Sequence, residues 1–235
     1  MPWLGNDIVD LQDDESRLDT LHPRFIERVF TPVERRRIDA SPDPRRTLWT
    51  LWAAKESAYK AVIKLRPKTV FSHHRFQVRL DGPNEGFVVH EDLRLTLIVK
   101  DCANWVHAIA LLSNETHRTK SISTDATVRK PNEDPSIAAR ELATSSIAGA
   151  NGWAPTSVSV VGKRPPRILH DGKPTAMDLS LSHHGRWVAF AAYRSQDRLS
   201  MTSAPRLGVQ ACQPRDVGDA DEPAPRAPPS ILLDT

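Results

Sequence analysis

The chain has 235 residues, 39% hydrophobic and 26% charged, a balance ordinary for soluble globular proteins. No apolar run is long enough to cross a bilayer, and the acidic N-terminus, MPWLGNDIVDLQDDE, lacks the basic-then-apolar order of a secretory leader, so neither a membrane partner nor export is expected. Two cysteines argue against a disulfide framework and for a cytoplasmic setting, while a net charge of +3 favours an acidic partner only weakly.

Taken in chain order, Ile8, Val9 and Leu11 belong to a short strand, and Phe25, Ile26, Val29 and Phe30 have helical spacing. Thr31-Pro32 with Glu34 three residues after the cap starts a helix that carries Arg35, Arg36 and Arg37. Asp43-Pro44 starts a longer one through LWAAKESAYKAVIKL, ending near Pro67. Strands are predicted at 76–80, 86–90, 93–99 and 105–112, and the short connections before residue 100 favour antiparallel pairing. Residues 113–134 show no apolar periodicity and read as a linker.

Asp134-Pro135 opens a helix to about Ala148. Strands follow at 157–161, 178–182 and 186–193, with a GKP turn at 172–174. Residues 195–235, proline-rich and poor in large apolar side chains, are expected to be disordered. The fold class is therefore α+β, with segments 1–112 and 135–194 each a helix plus antiparallel strands. Both end in a strand of one style, WVHAIALL and WVAFAAY, which suggests an internal duplication.

Three local features bear chemistry. In LWAAKESAYK, Trp52, Glu56 and Lys60 recur every four residues on one helix face, which fits either a catalytic pair or a surface ion pair beside a tryptophan stripe. Asp7, in GNDIVDL, either caps a turn or ligates a hard cation. With Glu56 it would supply the few oxygens that magnesium takes when phosphate completes its shell. In SLSHHGRW, Ser182 and His183 end a strand at a glycine turn and are either a polar hairpin tip or, with Lys173, a phosphate holder. His73, His74 and His184 read as surface residues.

Together these segments resemble the 4'-phosphopantetheinyl transferase superfamily. GNDIVDL, RFIERVFTPVE, LWAAKESAYKAV and the GKP-preceded DLSLSHHGRWVAFAAY are similar to its successive motifs, in order and with similar gaps. The order looks like that of the small holo-acyl-carrier-protein-synthase type, whereas two recognisable halves look like the surfactin-type members with the halves exchanged. The resemblance implies two similar helix-plus-antiparallel-sheet halves related by pseudo-twofold symmetry. It implies an enzyme moving the phosphopantetheine arm of coenzyme A to an acyl or peptidyl carrier protein. Asp7 and Glu56 would bind Mg2+, and Lys60 would contact the phosphates. Lys173, Ser182 and His183 would hold the 3'-phosphate end, with Arg140 from the preceding helix. The family's glycine-containing loop after the KES helix is replaced by IKLRPKT, where Lys64, Arg66 or Lys68 would substitute charge for backbone amides. A chain with both halves is expected to be a monomer. Two other readings stay open: a family member that binds coenzyme A or a carrier protein without turnover, and a basic nucleic-acid binder. The last predicts aromatics interleaved with exposed cations on a sheet, and the helical placement of the aromatics speaks against it.

Overall fold

The first strand, β1 (Trp3–Asp10), alternates in a way that builds the whole layer order. Its odd-numbered residues Gly5, Asp7 and Val9 turn to one face and its even-numbered residues Leu4, Asn6 and Ile8 to the other, as the two-residue period of a strand requires. The computed structural model describes residues 3–112 and 122–194, so the expected disorder of residues 195–235 falls outside the described residues.

Two short helices follow, α1 (Pro23–Val29) and α2 (Pro32–Asp39), and then α3 (Pro44–Leu65). The predicted capping box at α2 is present: Thr31 Oγ1 accepts the Glu34 N–H and Glu34 Oε2 accepts the Thr31 N–H. Asp43 caps α3 by accepting the Arg46 N–H. Four strands then run antiparallel, β2 (Gln77–Leu80), β3 (Glu85–His90), β4 (Leu93–Cys102) and β5 (Trp105–Leu112). With β1 they form a five-stranded sheet of order β1-β5-β4-β3-β2, in which Asp7 lies opposite Ala108. The small buried residues Ala53, Ala54, Ala58 and Ala61 let α3 lie close on this sheet, and Leu48, Leu51, Val62, Val88, Leu95 and Leu97 fill the layer between them.

Residues Ile122–Val128, read in sequence as connecting chain, form strand β6. The segment IxTxATV has no large buried residue to betray it; it gains strand structure by pairing with β11. Helix α4 (Pro135–Asn151) follows, then β7 (Val158–Val161), β8 (Arg167–His170), β9 (Lys173–Pro174), β10 (Met177–His184) and β11 (Trp187–Arg194). One three-stranded sheet has the order β10-β11-β6 and another the order β7-β8-β9.

The β10-β11-β6 sheet packs one face on α4, through Leu179, Phe190, Ala192, Ala143 and Ile147. Its other face meets the far side of β1 and β5, where Leu4, Ile109 and Leu111 lie against Ala191 and Tyr193, and Ile8 and Trp105 against Ala189. The layers therefore run α3, five-stranded sheet, three-stranded sheet, α4. The fold is α+β as expected, but the two principal sheets share neither strand number nor order.

Candidate active site

Gly5 brings β1 directly onto α3. A Cβ there would lie 1.9 Å from the Ser57 carbonyl oxygen and 2.7 Å from the Ala61 nitrogen, so only glycine permits this approach. The next inward residue, Asp7, consequently reaches α3, where Lys60 Nζ donates to its Oδ1 at 2.8 Å and to the Asn6 carbonyl at 3.0 Å. Glu56 lies one turn before Lys60. Its carboxyl is pushed up to about 7, first by burial and then by the like charge of Asp7, with Lys60 offsetting part of the effect. His183 is held below its ordinary value by burial and by Lys60, while Asp7 and Asp134 pull the other way. Asp7 and Lys60 thus pair directly, and each lies within electrostatic reach of both Glu56 and His183.

The other predicted residues are placed differently. Lys64 is turned inward, donating to Asp178 at 2.9 and 3.0 Å and to the Leu4 and Leu179 carbonyls at 2.6 and 2.8 Å. Ser182 is buried and accepts from Asn6 Nδ2 at 2.9 Å. Both were expected as coenzyme A contacts. Here their polar atoms are spent tying β10 to α3 and β1, because even-numbered residues of β10 point at the β1 edge rather than at solvent. Arg140 donates to the Val160 and Gly162 carbonyls. Lys173 is exposed on β9. Neither is among the charges that perturb His183.

The histidines read as surface groups are more engaged than expected. His73 stacks on Trp52 at 4.9 Å, and His184 Nδ1 accepts the Asp10 N–H at 3.1 Å. Among the described residues, Asp13, Glu15 and His184 bring possible ligand atoms within 4.8 Å of one another. With Nδ1 occupied, the neutral ring carries its proton on Nε2, so the group offers a cation two carboxylates and no free imidazole lone pair. It reads as a tie between the end of β1 and the β10–β11 turn. Asp10 joins it by accepting from Gln12 and Arg186.

Sequence reasoning missed Asn6, His107, Asp178 and Ser180. The alternation Asp178, Ser180, Ser182, His184 was the available signal, since a strand with one polar face must turn that face to water or to polar partners. It also passed over Lys55, the lysine of KES. That side chain is fully buried and donates to Glu34 Oε1 at 2.8 Å and to the His73 and Phe76 carbonyls at 3.0 and 2.6 Å.

Two cavities lie along α3. A cavity of about 600 Å³ beyond its C-terminal end is lined by Arg66, Lys68, Val70, Arg75, His90 and Glu91, with Arg66 paired to Asp92. One of about 330 Å³ lies between Phe25, Val29, Trp52 and His73, with Arg24 and Arg28 beside them. Trp52, in the lining of this second cavity, lies one helical turn before Glu56.

An acidic pair beside a lysine, with a histidine in electrostatic reach, has the residue types that a hard cation and a phosphate-bearing ligand require. The model of the 4'-phosphopantetheinyl transferase superfamily matches residues 4–110, the segment that carries Asp7, Glu56 and Lys60. Three of the motifs that carry the resemblance, GNDIVDL, RFIERVFTPVE and LWAAKESAYKAV, lie in that segment, and the Ser-His segment at 178–193 lies outside it. Holo-[acyl-carrier-protein] synthases of Azorhizobium caulinodans and Parvibaculum lavamentivorans are each 37% identical over 59 residues, which is 25% of this chain. The match spans 43% and 44% of their lengths, less than half of each. Among solved structures, holo-[acyl-carrier-protein] synthase from Neisseria meningitidis is 21% identical over 48% of this chain and 98% of its own, with a TM-score of 0.40. A Chronobacterium ammoniagenes ACPS–CoA complex is 20% identical over 49% and 99%, with a TM-score of 0.41.

Proposed function

We propose that the chain transfers the 4'-phosphopantetheine arm of coenzyme A to a serine of an acyl or peptidyl carrier protein, releasing adenosine 3',5'-bisphosphate. The observation that carries this reading is the Asp7–Lys60 pair, with Glu56 and His183 both in its electrostatic reach. They come from residues far apart in sequence and include the motifs of the matched family segment.

The donor set suits magnesium. Two carboxylates lie close enough that one suppresses the ionisation of the other, and the single lysine offsets this only in part. Asp7 and Glu56 would hold the ion, which supplies positive charge to the pyrophosphate. Lys60, tethered to Asp7 and to the β1 backbone, presents a fixed ammonium to the same phosphates. His183, near the end of β10, would offer an N–H to the nucleotide end. The serine oxygen attacks the β-phosphorus, a new P–O bond forms, and the bond to the bisphosphate oxygen breaks. Glu56, directly or through one water, takes the serine proton.

Carrier proteins with an acidic helix suit the exposed Arg24 and Arg28 that line the Phe25–Trp52 cavity, with Arg36 and Arg37 exposed on α2. Cytoplasmic location and a monomeric state belong to the same reading. The monomer is supported by the β10-β11-β6 sheet, which covers the outer face of β1 and β5 from within one chain. Among the described residues, no helix is long and apolar enough to cross a membrane.

Incubation of the protein with apo carrier proteins, coenzyme A and magnesium tests the reading by mass spectrometry. Addition of one arm is expected with the native chain and none with Glu56→Ala. Tight coenzyme A binding without transfer to any carrier would favour the binding-only alternative.

A further inference from the structure

The edge of β1 that faces away from β5 is closed by side chains rather than by another strand. The Leu4 N–H is taken by Asp178 Oδ2 at 2.6 Å, the Asn6 N–H by Ser180 Oγ at 3.0 Å and the Asp10 N–H by His184 Nδ1 at 3.1 Å. The Leu4 and Asn6 carbonyls accept Lys64 and Lys60 at 2.6 and 3.0 Å. Asp178, Ser180, Ser182 and His184 are alternate residues and form one face of β10. Three of them serve the β1 backbone. The fourth, Ser182, meets a side chain instead: Asn6 Nδ2 donates to its Oγ at 2.9 Å and bonds His107 Nε2, also at 2.9 Å.

All three groups are sealed from water, with Asn6 0%, His107 1% and Ser182 4% exposed, and Asn6 Oδ1 has no partner. Burial pushes His107 down to about 3, so its ring is neutral and its Nε2 accepts. The surrounding layer is apolar, made of Leu4, Ile8, Ile109, Ala189 and Ala191. An apolar trio of similar volume would hold the two sheets at least as firmly, so holding power is not what the polar trio contributes. It contributes register. A slip of β10 by one residue turns Leu179 and Leu181 to the polar edge. A slip by two sets Ser180 or His184 against the Asn6 amide and separates Asp178 from Lys64.

We infer that Asn6 is a positioning residue of the candidate active site: its carboxamide, clamped by His107 and Ser182, sets the register of β10 along the β1 edge and so the spacing of His183 from Asp7, Glu56 and Lys60. Asn6 directly precedes Asp7 and Ser182 directly precedes His183, so a bond between the two inward side chains fixes the two that follow them. For its activity readout the inference rests on the phosphopantetheinyl-transfer reading.

Asn6→Leu, close in volume, tests it in the full chain. Native-like circular dichroism is expected. Amide exchange at Leu4 and Asp10 should speed at least about tenfold, and kcat/KM for transfer should fall about thirtyfold, mainly through the coenzyme A KM. The double variant Asn6→Leu/His183→Ala should be no slower than His183→Ala alone, because both act through one contact. Unchanged exchange at Leu4 and Asp10, or losses that multiply in the double variant, would overturn the inference. Ser182→Ala, which deletes one hydroxyl, carries the same comparison if Asn6→Leu fails to fold. If the native protein transfers no arm, the functional reading falls, while the exchange comparison still decides whether Asn6 holds the edge.

Discussion

Gly5→Ala adds one methyl group between β1 and α3, and the consequences follow from distances. The new carbon would sit 1.9 Å from the Ser57 carbonyl oxygen, whereas ordinary contact begins near 3.4 Å. The obstacles are backbone atoms on both sides, so no side-chain rotation relieves the clash. The strand must retreat by about 1.5 Å or the helix must tilt, since overpacking is relieved by backbone shifts. Such insertions cost about 3 kcal/mol, which for a domain of this size lowers the melting midpoint by about 6–12 °C. Asp7 moves with the strand, away from Glu56 and Lys60, and a misplacement of about 1 Å in a reacting constellation costs about 100-fold in rate. Urea unfolding and carrier-protein loading measure the two effects on one preparation. A Gly5→Ala protein within about 0.5 kcal/mol of the native chain, loading carrier at the native rate, would refute the close approach of β1 to α3 and the site built on it.

Glu56 sets a pH dependence in metal-free protein. A folded value of about 7 against the ordinary 4.5 means that the native state binds the extra proton between those limits, so stability falls as pH rises from about 4.5 to about 7. The loss is at most about 3 kcal/mol, and Glu56→Gln should flatten the profile while abolishing transfer; denaturant titration across pH measures it. Added magnesium should raise the midpoint more at pH 7.5 than at pH 5.5, because the ion competes with the Glu56 proton; equal shifts would count against this donor pair. Lys55→Met leaves the buried Glu34 carboxyl without its cationic partner and strips the His73 and Phe76 carbonyls of their donor, for a predicted loss of about 3–5 kcal/mol by chemical denaturation. Arg28→Glu should raise the carrier-protein KM about tenfold at low salt, and the effect should shrink at 0.5 M salt, read from initial rates at several ionic strengths.

Much of the fold could be read from local chemistry. The capping box at Thr31 and Glu34 and the proline starts at Pro32, Pro44 and Pro135 place the helices, because they satisfy helix-end amides with residues a few positions away. The strands β2 to β4 and β10 follow from alternation, and β5 and β11 from short apolar runs buried on both faces. Strand β6 does not, because its pairing with β11 rather than any apolar face of its own makes it a strand. The pairing of Glu56 with Lys60 on one helix face was equally local. What lay beyond reach was direction: whether Lys64, Ser182 and Lys55 faced a ligand or the protein interior depends on what packs against them.

Charge and helix starts were legible along the chain, since capping chemistry and periodicity are properties of short stretches, and the resemblance of its motifs joined Asp7, Glu56, Lys60 and His183. Long-range packing, by contrast, brings Lys60 onto Asp7 and spends the polar face of β10 on the open edge of β1. An exposed strand edge has unpaired amides and carbonyls that must find partners, and those partners are chosen by packing between segments more than a hundred residues apart.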